Sequence, residues 1–156
     1  MKNDLMKAID ILNSGQYTCV LCKDNEIHIS TERGVKPLLE WLESGIDLKG
    51  FSAADKVVGK AAAFLYVLLG MKEVYAPVMS ESAIYTLSRN GILPQCDVSV
   101  KNIINRAGTG NCPMEEAVMD IINPKEAISK IKLRHVQLSC TMPKVIESVP
   151  IGKTYD

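Results

Sequence analysis

The stretch SAADKVVGKAAAFLYVLLG, residues 52–70, decides the fold of this chain. Ser52, followed three residues later by Asp55, has the pattern of a capping box, which predicts a helix that begins at Ser52. Apolar side chains then occupy nearly every position up to Gly70, and a glycine is typical of a helix end. A helix that is apolar almost all round is a buried one. The stretch therefore predicts a buried helix in the middle of the domain.

The residues before this stretch predict a helix, a β-hairpin and a second, short helix. Apolar residues at helical spacing mark Lys2–Leu12, and a similar pattern at Lys36–Glu43 ends at a Ser-Gly pair. Between them, strand-like runs at Tyr17–Cys22 and Ile27–Ser30 flank the polar segment Lys23–Glu26. The Asp-Asn pair in that segment favours a tight antiparallel turn.

The residues after the stretch alternate between strand and helix patterns. The predicted elements are a strand at Glu73–Val78, a helix at Glu81–Arg89, a strand at Asp97–Ile104, and helices at Pro113–Ile122 and Lys125–Leu133. Residues 135–156 contain Pro143 and Pro150 and show no helical period, which predicts an edge strand or a loose tail. We therefore divide the chain into an α/β domain at residues 1–134 and a C-terminal extension at residues 135–156.

This order of elements predicts an α/β fold with three layers, α/β/α. A hairpin followed by alternating strands and helices implies a mixed sheet, antiparallel at its start and parallel in its continuation. In such sheets, ligands bind beyond the carboxyl ends of the parallel strands, close to helix N-termini. We therefore expect a ligand cleft at that edge of the sheet.

Composition and charge argue against several classes of protein. Lys plus Arg and Asp plus Glu number 18 each, so the 156-residue chain has zero net charge. A neutral chain lacks the clustered positive charge that binds nucleic acid or an anionic membrane. The first residues are polar with no apolar signal segment after them, and five cysteines, an odd number, favour reduced thiols. We therefore expect a cytoplasmic protein that binds neither nucleic acid nor membranes.

The loop at residues 105–111 is the first candidate ligand site. Its candidate ligand-binding residues are Asn105, Arg106, Gly108, Thr109 and Gly110. The loop joins a predicted strand to a predicted helix, where backbone N–H groups, a helix dipole and a guanidinium suit an anion. It matches neither a Walker A loop nor a dinucleotide fingerprint. A structural interpretation stays open, in which the glycines serve a tight turn and Arg106 pairs with Glu115.

Four residues outside this loop complete the candidate site. Cys112 is predicted at a helix N-cap, where the pKa of a thiol falls, although Glu115 disfavours a thiolate there. Lys56 on a buried helix is costly unless it meets solvent, a partner or an anion. Asp55 and Lys56 are therefore expected in the cleft, with helix capping and solvent as the structural alternatives. Asp55, Cys112 and Glu115 are the candidate catalytic groups.

Three segments carry a resemblance to a known family. They are ADKVVGKAA at residues 54–62, KEVYA at residues 72–76 and INRAGTGNCPMEEAV at residues 104–118. They resemble the family known as domain of unknown function 1893, and the resemblance covers about residues 1–133. It implies a cytidine deaminase-like fold with no assigned activity.

The same resemblance bears on metal chemistry. Zinc deaminases carry His-x-Glu or Cys-x-Glu at the start of the central helix and Pro-Cys-x-x-Cys at the next helix start. The corresponding places here are interpreted as Ala54–Lys56 and Pro77–Glu81, and neither contains a histidine or a cysteine. We therefore expect no metal ligands and no cofactor.

Three hypotheses for function follow. The first is a domain without a zinc site that binds a small anionic or nucleotide-like ligand through Arg106, the glycine loop and Lys56. The second is a thiol-dependent enzyme that uses Cys112, with Asp55 or Glu115 moving protons. The third is a non-catalytic structural or regulatory domain that acts as an oligomer. Deaminase-like folds often assemble through their helices, so the resemblance also implies a homo-oligomer.

Overall fold

The computed structural model describes residues 3–105 and 107–145 and contains six helices and six strands in this part of the chain. In chain order they are α1 (Asp4–Ser14), β1 (Cys19–Lys23), β2 (Glu26–Ser30), α2 (Lys36–Ser44), β3 (Ser52–Asp55), β4 (Val57–Val58), α3 (Lys60–Leu69), β5 (Glu73–Ser80), α4 (Glu81–Arg89), β6 (Leu93–Val100), α5 (Pro113–Ala117) and α6 (Pro124–Val145).

All six strands belong to one mixed sheet. β1 pairs antiparallel with β2 on one side and with β3 on the other. β5 runs parallel to β3, to β4 and to β6. β3 and β4 pair with successive parts of β5, so they are two halves of one strand interrupted at Lys56. The predicted hairpin start and parallel continuation of the sheet are confirmed.

Helices cover both faces of this sheet. α1 packs its buried residues Leu5, Ala8 and Leu12 on one face, against Val20 and Tyr75 of the sheet. The larger core lies on the other face and includes the helices α2 to α6. At its centre is α3, whose residues 61–66 are all buried, as expected for a helix that is apolar almost all round. The predicted three-layer α/β/α fold is confirmed.

The predicted start of the central helix is wrong. Ser52–Asp55 forms β3, and the helix begins only at Lys60, with Gly59 as its N-cap. The hydroxyl of Ser52 donates to the Glu73 carboxylate at 2.6 Å instead of capping a helix. A fully buried strand and a buried helix segment have the same apolar run, so periodicity does not separate them. The strand was missed for that reason.

Other boundaries also differ from the prediction. β6 begins at Leu93 rather than Asp97 and ends at Val100, while α5 ends at Ala117 rather than Ile122. α6 continues to Val145 in a single 22-residue helix, so the expected edge strand or tail is wrong for residues 135–145. Residues 146–156 lie outside the described residues. The division at residue 134 stays a prediction.

The N-cap of α4 provides a direct test of the local structure. Ser80 is buried, and its hydroxyl accepts the N–H of Ala83 at 3.1 Å. Ser80→Ala removes this acceptor, so we expect a loss of about 1 kcal/mol in the free energy of unfolding, measured by chemical denaturation. Ser88→Ala, an exposed position in the same helix, is the matched control. Equal stability of the two variants would contradict the assignment of the cap.

Candidate functional site

A cavity of about 200 Å³ lies where the interrupted strand β3–β4 meets the starts of α2 and α3. Residues 103–105 and 112–115 form its far wall. The side chains and backbone that line it are Thr18, Cys19, Arg33, Gly34, Val35, Asp55, Lys56, Val57, Gly59, Ala61, Ala62, Ile103, Ile104, Asn105, Cys112, Pro113, Met114 and Glu115. This is the carboxyl end of a strand in a partly parallel sheet, where ligand sites are expected.

Three side chains that are linked by hydrogen bonds, those of Cys19, Tyr66 and Asp55, form the floor of the cavity. The Tyr66 hydroxyl donates to the Oδ2 atom of Asp55 at 2.6 Å. The Sγ atom of Cys19 lies 3.1 Å from the same hydroxyl. The backbone N–H of Lys56 donates to Oδ1 of Asp55 at 2.7 Å. The two outer members of this hydrogen-bonded series, Cys19 and Asp55, line the cavity, whereas Tyr66 is buried behind them in α3.

Burial changes the acid–base behaviour of these three groups. It raises the pKa of Asp55 from 3.8 to about 6, although hydrogen bonds from Tyr66 and the backbone hold the rise in check. Burial also raises the pKa of Cys19 well above its ordinary value, so this thiol stays neutral and is a poor nucleophile. The pKa of Tyr66 is raised for the same reason. Of these three groups, Asp55 is therefore the one whose pKa lies near neutral pH.

Glu115 of α5 caps the N-terminus of α3 from outside that helix. Its carboxylate accepts the backbone N–H of Lys60 at 2.7 Å and that of Ala61 at 3.0 Å. The N-cap residue, Gly59, has no side chain that could do this. A Cβ atom at Gly59 would lie 2.5 Å from Cδ of Glu115, so a glycine is required here for close approach. Burial raises the pKa of Glu115.

Two cations stand at the mouth of the cavity. Arg33 and Lys56 are both exposed and both line it, one before α2 and one at the strand break. Neither side chain has an ion-pair or hydrogen-bond partner within residues 3–105 and 107–145. Sequence reasoning found Lys56 but missed Arg33. The Arg-Gly pair directly before a helix start was the available signal.

The glycine loop contributes less to the cavity than its sequence predicts. Asn105 lines the cavity, but Gly108, Thr109 and Gly110 are exposed and do not. The N–H of Gly108 donates to the Asn105 carbonyl at 3.0 Å, and that of Thr109 to the Asn105 side chain at 3.1 Å. These N–H groups stabilise the turn itself. Arg106 lies outside the described residues.

Cys112 is buried and lines the cavity, as the prediction of a ligand-lining residue requires. No histidine lies among the described residues that line the cavity, so an imidazole base for this thiol is missing from its walls. His28 is engaged elsewhere, with its ring against Trp41 and Phe51 and its Nε2 atom 2.6 Å from Glu26.

Among the described residues, no group of three or more His, Cys, Asp or Glu side chains is arranged to hold a metal ion. Nor does the described part contain a helix with the length and apolar character needed to cross a membrane.

Taken together, fold and cavity define a mixed α/β domain with a small cleft at a strand break, lined by carboxylates, thiols and two cations. The chain belongs to the family described as a domain of unknown function (DUF1893), whose model matches residues 7–133. It is similar to the crystal structure of a DUF1893 family protein from Thermotoga maritima, with a TM-score of 0.77 and 26% identity over 88% of this chain and 91% of that one. A comparison with curated proteins finds no match.

The raised pKa of Asp55 predicts how stability changes with pH. Between about pH 4 and 6 the folded chain keeps a proton that the unfolded chain has lost, so stability falls as the pH rises through this window. Asp55→Asn removes the titration. We expect the stability of the wild type relative to this variant to fall by up to about 3 kcal/mol from pH 4 to pH 7.

The measurement is urea denaturation of both proteins at each pH, with Asp120→Asn, an exposed aspartate, as the matched variant. If the difference in unfolding free energy between wild type and Asp55→Asn stayed constant across the window, that result would contradict the raised pKa of Asp55.

Because Glu115 contacts Gly59, we expect the stability costs of substituting the two residues to be non-additive. Gly59→Ala displaces the Glu115 carboxylate and leaves two N–H groups uncapped, which costs about 1–3 kcal/mol. In a Glu115→Ala background the clash is gone, so the same substitution should cost less than about 0.5 kcal/mol. Chemical denaturation of the four proteins measures this coupling. Additive costs would show that Glu115 does not occupy the space next to Gly59.

Proposed function

We propose that this domain binds a small organic anion in the cavity, with the charged group of the ligand at the mouth and its apolar body inside. The observation that carries the proposal is the pair of exposed cations, Arg33 and Lys56, that flank the same opening without a partner in the described chain. A guanidinium and an ammonium on either side of a cleft suit a phosphate or carboxylate.

The walls of the cavity support an apolar or ring-shaped ligand body. Val35, Ala61, Ala62, Ile103 and Met114 present apolar surface to it. Its volume of about 200 Å³ is smaller than the roughly 300–1,000 Å³ of pockets for drug-sized ligands. A single ring with a charged substituent suits this volume better than a dinucleotide does. A nucleotide-like ligand would therefore place its base inward and its phosphate outward.

Asp55 supplies the polar group at the inner end. Its carboxylate accepts hydrogen bonds from the Tyr66 hydroxyl and from the backbone N–H groups of Lys56 and Val57, and a carboxylate has about four acceptor sites. An N–H or O–H group on the ligand would therefore find an acceptor on the floor of the cavity. Because the pKa of Asp55 is raised to about 6, the same group is suited to exchange a proton with a bound ligand near neutral pH.

The architecture supports a finer proposal, that the fold is cytidine deaminase-like. The sheet starts with a hairpin, and the cavity lies at the starts of α2 and α3. Zinc deaminases carry their ligands at two such helix starts. In this chain those places correspond to Gly34–Lys36 and Gly59–Ala61, rather than to the two segments inferred from the sequence, and they contain no histidine or cysteine. We therefore propose ligand binding without a zinc site.

A second candidate is a thiol enzyme that uses Cys112. Its support is the position of Cys112 in the same cavity as Asp55, which could accept a proton. This candidate requires chemical turnover that Cys112→Ser abolishes, whereas the leading proposal requires only binding. The expected oligomer stays a prediction.

The test is a thermal-shift screen with inorganic phosphate, nucleosides, nucleoside monophosphates and small carboxylates. A ligand at a hundred times its dissociation constant should stabilise the fold by about 2.7 kcal/mol. Arg33→Ala and Lys56→Ala should each weaken the binding of an anionic hit by about tenfold or more, because each removes a charged hydrogen bond.

Lys72→Ala is the matched control, since it removes the same charge at an exposed position outside the cavity. If Arg33→Ala and Lys56→Ala both bound the anionic compound with the wild-type affinity, that result would contradict the proposal. Arg106→Ala tests in the same screen whether the prediction from the loop sequence holds.

A further inference from the structure

The side chains that line the cavity differ in their exposure to solvent. Cys19 and Cys112 line the cavity, yet only 2% and 7% of their surfaces are exposed. Arg33 and Lys56, which line the same cavity, are exposed. We call the part of the cavity that is lined by Cys19 and Cys112 the inner cavity.

One wall of the cavity belongs to α5. Pro113, Met114 and Glu115 all line the cavity, and they follow Cys112 directly. The carboxylate of Glu115 ties this wall to the start of α3 by two hydrogen bonds, at 2.7 Å to Lys60 and 3.0 Å to Ala61. Glu115 is therefore the link between this wall and the start of α3, whereas the Arg134 guanidinium, which donates to the Pro113 carbonyl at 2.8 Å, and the buried Met114 hold the same wall against the rest of the core.

This contact is suited to release. Glu115 is charged in its ordinary state, and its direct partners are two backbone N–H groups rather than a cation. The nearby ammonium of Lys60 donates instead to the Met119 carbonyl at 3.0 Å. A desolvated carboxylate regains hydration when it leaves such a site, which offsets part of the cost of opening.

We infer that Glu115 acts as a clasp that holds α5 closed over the inner cavity, and that its release from α3 opens the path to Cys19 and Cys112. The inference deepens the proposed function, on which it rests for the role of the cavity, because it assigns control of access to the same cleft. It makes Glu115 a positioning residue rather than a catalytic one.

The experiment measures access to each thiol separately. The intact chain is treated with N-ethylmaleimide at neutral pH, and the labelling rate of each cysteine is followed by peptide mass spectrometry. Glu115→Gln should raise the rates of Cys112 and Cys19 by about tenfold, the factor expected when charge-assisted hydrogen bonds are weakened. Cys22 is the internal control, because it is buried beneath α1 on the other face of the sheet.

Two further variants sharpen the result. Glu116→Gln removes the neighbouring, exposed carboxylate and should leave every rate at the wild-type value. Gly59→Ala displaces Glu115 from the opposite side and should reproduce the pattern of Glu115→Gln. Unchanged rates at Cys112 and Cys19 in both clasp variants would overturn the inference, as would an equal rise at Cys22, since opening would then be global. None of these rates depends on a ligand, so a failed ligand screen would leave this result standing.

Discussion

The interruption of one strand at Lys56 is the constraint on which the site depends. β3 and β4 pair with the same neighbour, β5, and the chain leaves the ladder between them. The Asp55 carboxylate accepts the N–H of Lys56, so the side chain before the break satisfies the backbone at the break. The same arrangement turns Asp55 toward the cavity and leaves the side chain of Lys56 at its mouth. One irregularity in the sheet therefore supplies both the floor and part of the rim.

Two half-buried carboxylates with different partners line this cavity. Asp55 is bound by a phenol and by its own strand, whereas Glu115 comes from α5 and binds the start of α3. Burial raises the pKa of both, because a carboxylate loses hydration when it is enclosed. In our proposal Asp55 is the group suited to proton exchange, and Glu115 is the group that holds the wall in place. Separate substitutions distinguish the two roles.

Much of the fold could be predicted from local signals. The helix α4 follows Ser80 over the predicted residues 81–89, because an N-cap serine and a following glycine define both ends. The hairpin was predicted from its polar turn, where Asp24 has a positive φ of 53°. β3 was missed because a doubly buried strand of small residues has no alternation to read. α6 was predicted only as far as Leu133, because residues 135–156 contain two prolines and were interpreted as having no helical period.

The site was predicted in part for similar reasons. Asp55, Lys56, Asn105, Cys112 and Glu115 do line one cavity, as the position of such clefts at strand ends implies. Glu115 lies 55 residues from Lys60 and 54 residues from Ala61 in the sequence. No local sequence pattern therefore predicts that its carboxylate accepts their N–H groups. Arg33 was missed because its Arg-Gly signal is weak by itself, and only the tertiary fold places it in the same cavity as Lys56.

The central claim is that the cavity at the strand break is the ligand site. Its most direct measurement is an NMR titration of the isotope-labelled chain with the compound that gives the largest thermal shift. Backbone amide signals from residues 33–35, 55–57, 59, 112, 114 and 115 should move together and saturate at one dissociation constant, because these residues line the cavity. Shifts confined to another surface, such as the groove lined by Glu116, Asp120 and Lys130, would contradict the account.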